Sequence, residues 1–168
     1  AAIAAGKHAL PVYEIYKVGE DLHWKPGLNF LYGFGFEATI IPHWNNTDGG
    51  NELDTSHCFT GASRFSTLEE MLPDDEVIVG LDEHTACILD LNEKCLEVIG
   101  SGKVHLKSGG RWHDLEPGLY HFTELQLDAV CDADIQIPES LLGLQKNLTV
   151  EVAEELPPDQ ILSLAQAR

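Results

Sequence analysis

Positive charge is scarce in this chain. Ten Lys and Arg stand against 28 Asp and Glu in 168 residues, a formal net charge of −18. Phosphate contacts need clustered cations, so no nucleic-acid contact by these residues is expected. Long apolar runs are missing too: none approaches the roughly eighteen residues of a membrane-spanning helix, so no membrane partner is expected. The four cysteines, Cys58, Cys87, Cys95 and Cys131, have no Cys-x-x-Cys spacing. Buried free thiols in a reducing, cytoplasmic compartment are expected instead. Methionine occurs once, at Met71, and the chain begins at Ala1. The sequence therefore reads as a piece of a longer polypeptide or a processed product.

The most informative stretch is Ile41-Pro42-His43-Trp44-Asn45-Asn46. A histidine closes the apolar, β-branched run Ala38-Thr39-Ile40-Ile41, and a polar, glycine-bearing loop follows. In open α/β sheets chemistry collects where strands end and loops begin. A histidine there can titrate near neutral pH and act as a general base.

Downstream come Gly49-Gly50, then Phe59-Thr60-Gly61-Ala62-Ser63-Arg64-Phe65 leading into Leu68-Glu69-Glu70-Met71-Leu72. Next are Val77-Ile78-Val79-Gly80-Leu81-Asp82-Glu83-His84-Thr85-Ala86 and Val98-Ile99-Gly100-Ser101-Gly102-Lys103-Val104. In this order these motifs resemble cyanophycinase and alpha-aspartyl dipeptidase, serine peptidases with the class I glutamine amidotransferase-like fold, over roughly residues 1–110. Leu10-Pro11-Val12-Tyr13-Glu14-Ile15-Tyr16-Lys17-Val18-Gly19-Glu20 resembles an uncharacterised branch of that superfamily. The resemblance implies a hydrolase of amide or isopeptide bonds acting on a small peptide-like substrate. Its nucleophilic serine is expected just upstream of Ala1, because Ala1-Ala2-Ile3-Ala4-Ala5-Gly6 is similar to the helix that follows the family's serine turn. Carried over residue by residue, His43 is the base and Glu20 its orienting acid, with Asp21 one position away and Glu14 a third choice. The same resemblance makes Arg64 a supporting or substrate-binding residue, since relatives carry arginines on the helix after the histidine loop. An exposed helix arginine pairing with Glu69 or Asp54 fits equally. By their place beside the strand ends, Asn45 and Glu83 are further supporting or substrate-binding candidates, with Glu83 bracing the loop.

The expected fold is α/β: a flavodoxin-like parallel sheet flanked by helices, incomplete at the N-terminus, with an antiparallel β extension. Residues 1–6 read as the tail of a helix and residues 12–18 as a strand with β-branched and aromatic content. A short helix is expected near residues 28–32, a buried strand over 37–41 and an amphipathic helix over 56–72, with Asp54 or Thr55 as its cap. Residues 76–81 form an almost unbroken apolar strand, as where both sheet faces are covered. The runs 85–90, 95–100, 103–107 and 119–127, separated by turn residues, read as an antiparallel meander. Residues 1–127 form the hydrolase-like domain, and residues 128–168 an acidic linker and the start of a helical tail. That tail resembles the lead-in to part of cysteinyl-tRNA synthetase.

No metal or cofactor is expected. Asn45, Asp48, Asn51, Glu52 and Asp54 are oxygen donors of the kind calcium takes, but their spacing departs from the EF-hand loop. His43, His57 and Cys58 have zinc-binding chemistry, yet the adjacent pair strains shared tetrahedral coordination on a helix. Glutaminase chemistry fails on residues, since no cysteine sits in an elbow setting and Trp44-Asn45 follows His43. The rival to a hydrolase is a non-catalytic domain of the same fold that binds a ligand or protein through residues 45–54. Missing sheet strands leave an expected apolar edge at residues 12–18 or 37–41, so a homodimer, or association with the missing N-terminal segment, is expected.

Overall fold

The computed structural model describes residues 1–127. The expected acidic linker and helical tail lie outside the described residues. Among those described, helices and sheets are mixed, as an α/β chain requires. A helical turn, α1 (Ala2–Ala5), leads into β1 (His8–Ala9), which pairs antiparallel with β2 (Lys25–Pro26). A 3-10 helix follows at Phe30–Phe34. Next come β3 (Thr39–Ile41), the single turn α2 (Ser56–Phe59) and the helix α3 (Ala62–Glu69). The remaining strands are β4 (Ile78–Leu81), β5 (Thr85–Asp90), β6 (Cys95–Gly100), β7 (Val104–Ser108), β8 (Arg111–Leu115) and β9 (Gly118–His121).

The main sheet has the order β3-β4-β7-β8, and a second sheet the order β5-β6-β9. Strands β3 and β4 run parallel, with Thr39 opposite Ile78 and Ile41 opposite Gly80. Every other pairing is antiparallel. The expected parallel sheet is thus reduced, among the described residues, to one parallel pair. The cause lies in the connections: β3 reaches β4 through a long crossover containing α3, whereas short turns join β5 to β6 and β7 to β8. Short turns can join only antiparallel neighbours.

Strand β4 explains how the layers hold together. Ile78 and Val79, with Val77 just before them, form an apolar run without alternation because both faces are covered. Ile78 packs with Ile41, Phe65 and Leu68 against α3, while Val79 packs with Leu96, Val98, Leu106 and Phe122 on the other side. At about 25 cal/mol per Å² of apolar surface, such two-sided burial makes β4 a central stabilising element.

Residues 12–18 differ from expectation. Glu14–Val18 form a π-helix closed by Gly19 at φ 80°, whose N–H donates to the Glu14 carbonyl. A half-buried strand would bury alternate residues, but Ile15 alone is fully buried, with Val12 partly buried against the same cluster, while Tyr13 and Val18 stay exposed. One buried side chain is satisfied by a helical turn. The outer edge of β3 is also less bare than expected. Lys7 N–H donates to Ala38 O at 2.8 Å, and Ile41 is fully buried. The helix expected over 56–72 begins instead as a left-handed turn at His57–Phe59, and a regular right-handed helix starts only after Gly61, φ 79°, as α3.

Candidate active site

Strand β3 ends at Ile41; Pro42, lacking an N–H, cannot continue the ladder. The chain then turns through His43 at φ 52°. Both the Cys58 N–H and the Asn46 N–H donate to the His43 carbonyl, at 3.1 and 3.2 Å. The same end of β4 carries His84 at φ 57°, and the crossover places His57, Cys58 and Phe59 in the left-handed region. Among the described residues, five of the eight non-glycine residues with positive φ thus sit on the loops leaving β3 and β4. Left-handed backbone costs roughly 1–2 kcal/mol per residue, and such strain concentrates at functional sites.

Parallel pairing of β3 with β4 brings two loops together that are distant in sequence. His43 Nδ1 lies 3.2 Å from Glu83 Oε1. Asn46 Nδ2 donates to the same oxygen at 2.9 Å and to Asp48 Oδ2 at 3.1 Å. The Glu83 N–H donates to Asn45 Oδ1 at 2.8 Å. Glu83 is therefore fixed through its backbone by Asn45 and through its side chain by the buried Asn46. The Asn46 hydrogen bond, then that of His43, holds the Glu83 carboxyl below the usual carboxylate range. An ionised Glu83 accepts from Nδ1–H, which leaves Nε2 of His43 as the basic nitrogen. That ring is half exposed and faces a pocket of about 420 Å³ bounded by Pro42, Asp82, Glu83, His84 and Thr85.

The residues expected at the site separate into two groups. His43, Asn45 and Glu83 come together. Glu20 and Asp21 do not join them: the Glu20 carboxylate approaches His23 Nε2 at 3.9 Å, and the Asp21 carbonyl accepts from His23 Nδ1 at 2.8 Å. The physical reason is the π-helix, which leaves both acids exposed on the loop after Gly19. Glu14, the third choice, pairs with Lys25. Arg64 turns inward along its own helix, donating to the carbonyls of Thr60 and Phe59, and so ties α3 to the left-handed turn. Asn46 was missed, although it lies three residues beyond His43; nothing in its identity marks it as the group that holds Glu83.

A second cluster adjoins this one. Trp44 packs its indole against His105, stacked at 5.1 Å and 16°, and against His57, Phe65 and Trp112 at 4.1, 5.0 and 5.2 Å. His105 is held between two carboxylates, Asp82 Oδ1 at 3.2 Å and Asp114 Oδ1 at 2.8 Å. Beside it, Asp54 Oδ1 accepts from Ser56 Oγ at 2.6 Å and Ser56 N at 3.0 Å, and Asp54 Oδ2 accepts from Ala62 N at 2.8 Å. These hydrogen bonds, led by the Ser56 hydroxyl, bring the Asp54 pKa down to about 2. Asp54 thus caps α3 from eight residues upstream.

No protein-family model and no curated protein matches the chain. Among solved structures it is similar to a peptidase from an acI-B1 actinobacterium, with a TM-score of 0.48 and 20% identity. That likeness covers 73% of this chain, and the chain spans 43% of that peptidase. A likeness at this level transfers no activity. No helix among the described residues is long and apolar enough to cross a membrane.

Proposed function

We propose that this chain carries the proton-transfer half of a hydrolase that cleaves an amide or isopeptide bond in a small peptide-like substrate. His43 is the general base and Glu83 the carboxylate that orients it. One observation supports the reading: the 3.2 Å contact of His43 Nδ1 with Glu83, at the ends of two parallel strands and beside a pocket. A histidine so held takes a hydroxyl proton on Nε2 and later returns it to the leaving amine. The hydroxyl is that of a serine in a segment preceding Ala1, as the family resemblance implies. In this reading the β3/β4 pair, with α3 in its crossover, belongs to a flavodoxin-like sheet of the class I glutamine amidotransferase type.

A second reading, a binding domain of the same fold, is favoured by the pocket walls. They contribute Thr85 as their hydroxyl, and Thr85 Oγ1 is already bonded to the Glu83 carbonyl and the Gly102 N–H. The test uses a polypeptide that includes the segment preceding Ala1. A fluorophosphonate should label a serine there, and His43→Ala and Glu83→Gln should each lower kcat/KM on peptide amides by about 10²–10⁴-fold. Absence of labelling and of turnover would favour the binding domain. The 168-residue chain alone should not hydrolyse amides. Turnover by it that Ser56→Ala abolishes would move the nucleophile to Ser56, whose Oγ lies 2.8 Å from His57 Nδ1.

A further inference from the structure

The register of β4 with β7 places His105 opposite Gly80. Glycine there leaves room for an indole, since a Cβ would lie 2.3 Å from the Trp44 ring. Trp44 occupies that space and stacks on the His105 ring, 5.1 Å away at 16°. His105 also meets two carboxylates: Nε2 faces Asp82 Oδ1 at 3.2 Å, and Nδ1 faces Asp114 Oδ1 at 2.8 Å. A carboxylate at each nitrogen fixes the orientation of the ring. Asp82 is in turn buried, and its Oδ2 accepts from the Lys103 N–H at 2.9 Å. Its own N–H donates to the Lys103 carbonyl at 3.2 Å.

The sequence neighbours of these contacts are the two members of the candidate pair. Trp44 follows His43, and Asp82 precedes Glu83. One side chain on β7 thus holds the residue beside each of them. His43 needs such support, because its left-handed backbone, φ 52°, persists only where the surroundings over-determine it. Two backbone links already join the arms: Trp44 N–H donates to the Leu81 carbonyl at 2.9 Å, and Glu83 N–H to Asn45 Oδ1 at 2.8 Å. Neither sets the tilt of the Trp44 ring or the direction of the Asp82 carboxylate. His105 sets both, from outside the lining of the pocket beside His43.

We propose that His105 is a positioning residue for the His43–Glu83 pair, clamping Trp44 and Asp82 so that His43 Nδ1 stays within hydrogen-bond reach of Glu83. The inference rests on the hydrolase reading of that pair. Its test compares the nitrogen-15 shifts of the His43 ring in the 168-residue protein and in its Glu83→Gln, His105→Ala and His105→Gln variants. Glu83→Gln shows what loss of the orienting carboxylate does to the ring. His105→Ala should shift the His43 nitrogens in the same direction, and His105→Gln, whose amide returns a donor to Asp82, should recover part of the shift. A merely structural His105 would change the folded fraction and leave the nitrogens of folded His43 in place. In a polypeptide that includes the segment preceding Ala1, His105→Ala should lower kcat about 10–100-fold and leave KM within about twofold, since lost alignment falls on the chemical step. Should His105→Ala fail to fold, His105→Phe keeps a ring against Trp44 and removes both carboxylate contacts. A His43 ring unmoved by the His105 variants but moved by Glu83→Gln would overturn the positioning role and leave the hydrolase reading standing. A ring that Glu83→Gln also leaves unmoved would remove that reading, and the inference with it.

Discussion

Asn46 lowers the Glu83 pKa more than His43 does, because the amide hydrogen bond is the largest cause of the shift. Asn46→Ala should therefore raise the Glu83 titration midpoint, followed by carboxyl-carbon NMR; an unchanged midpoint would contradict this ordering. The sign of the linked stability follows. A depressed folded-state pKa stabilises above the unfolded carboxylate value, and the effect is lost as pH falls through the folded value. Asp54 behaves alike over a defined window, present above about 3.8 and gone as pH falls through about 2. Asp54→Ala should cost about 1 kcal/mol at neutral pH, the usual scale for a lost helix cap. The gap to wild type should narrow in acid denaturation series below pH 4. A gap independent of pH would mean that Asp54 acts without its charge. At this scale His43 was legible because Pro42-His43 closes an apolar run. Its partner was not, because a separation of 40 residues carries no local signal until β3 and β4 pair.

Among the elements, β4 meets the site most closely. A Cβ at Gly80 would lie 2.3 Å from the Trp44 ring, and that ring is hemmed in by four others. Gly80→Ala should lower stability by about 1–3 kcal/mol, the range for overpacking, and displace the Trp44 indole signal. A melting temperature equal to wild type would show that Trp44 moves aside freely. The β5–β6 hairpin was readable to its ends, since β-branched and apolar runs flank the polar turn Leu91-Asn92-Glu93-Lys94. Strand β8 escaped notice because Arg111-Trp112-His113-Asp114-Leu115 is polar and only Leu115 is buried. Residues 12–18 misled in the opposite sense: β-favouring side chains wind into a helix in which Ile15 alone is fully buried. Propensity is decided there by packing.

For the whole molecule, charge and apolar exposure give separate expectations. A net charge of −18 destabilises the compact state through self-repulsion. The melting temperature should rise between about 10 and 150 mM sodium chloride, as the screening length falls from roughly 30 to 8 Å. A fall would point to ion pairs such as Lys103–Glu116 and Lys107–Glu69 outweighing repulsion. Self-association remains a proposal, and its seat moves from strand edges to Leu28, Phe30 and Tyr32, each more than 60% exposed. Leu28→Asp should shift a light-scattering dimer towards monomer; a wild-type monomer would remove the proposal. The central claim, that Glu83 orients His43 as a base, is tested most directly by the tautomer of His43. Nitrogen-15 shifts of the neutral ring should report the proton on Nδ1, with Nε2 unprotonated, and Glu83→Gln should weaken that preference. A neutral His43 carrying its proton on Nε2 in the wild-type protein would contradict the account.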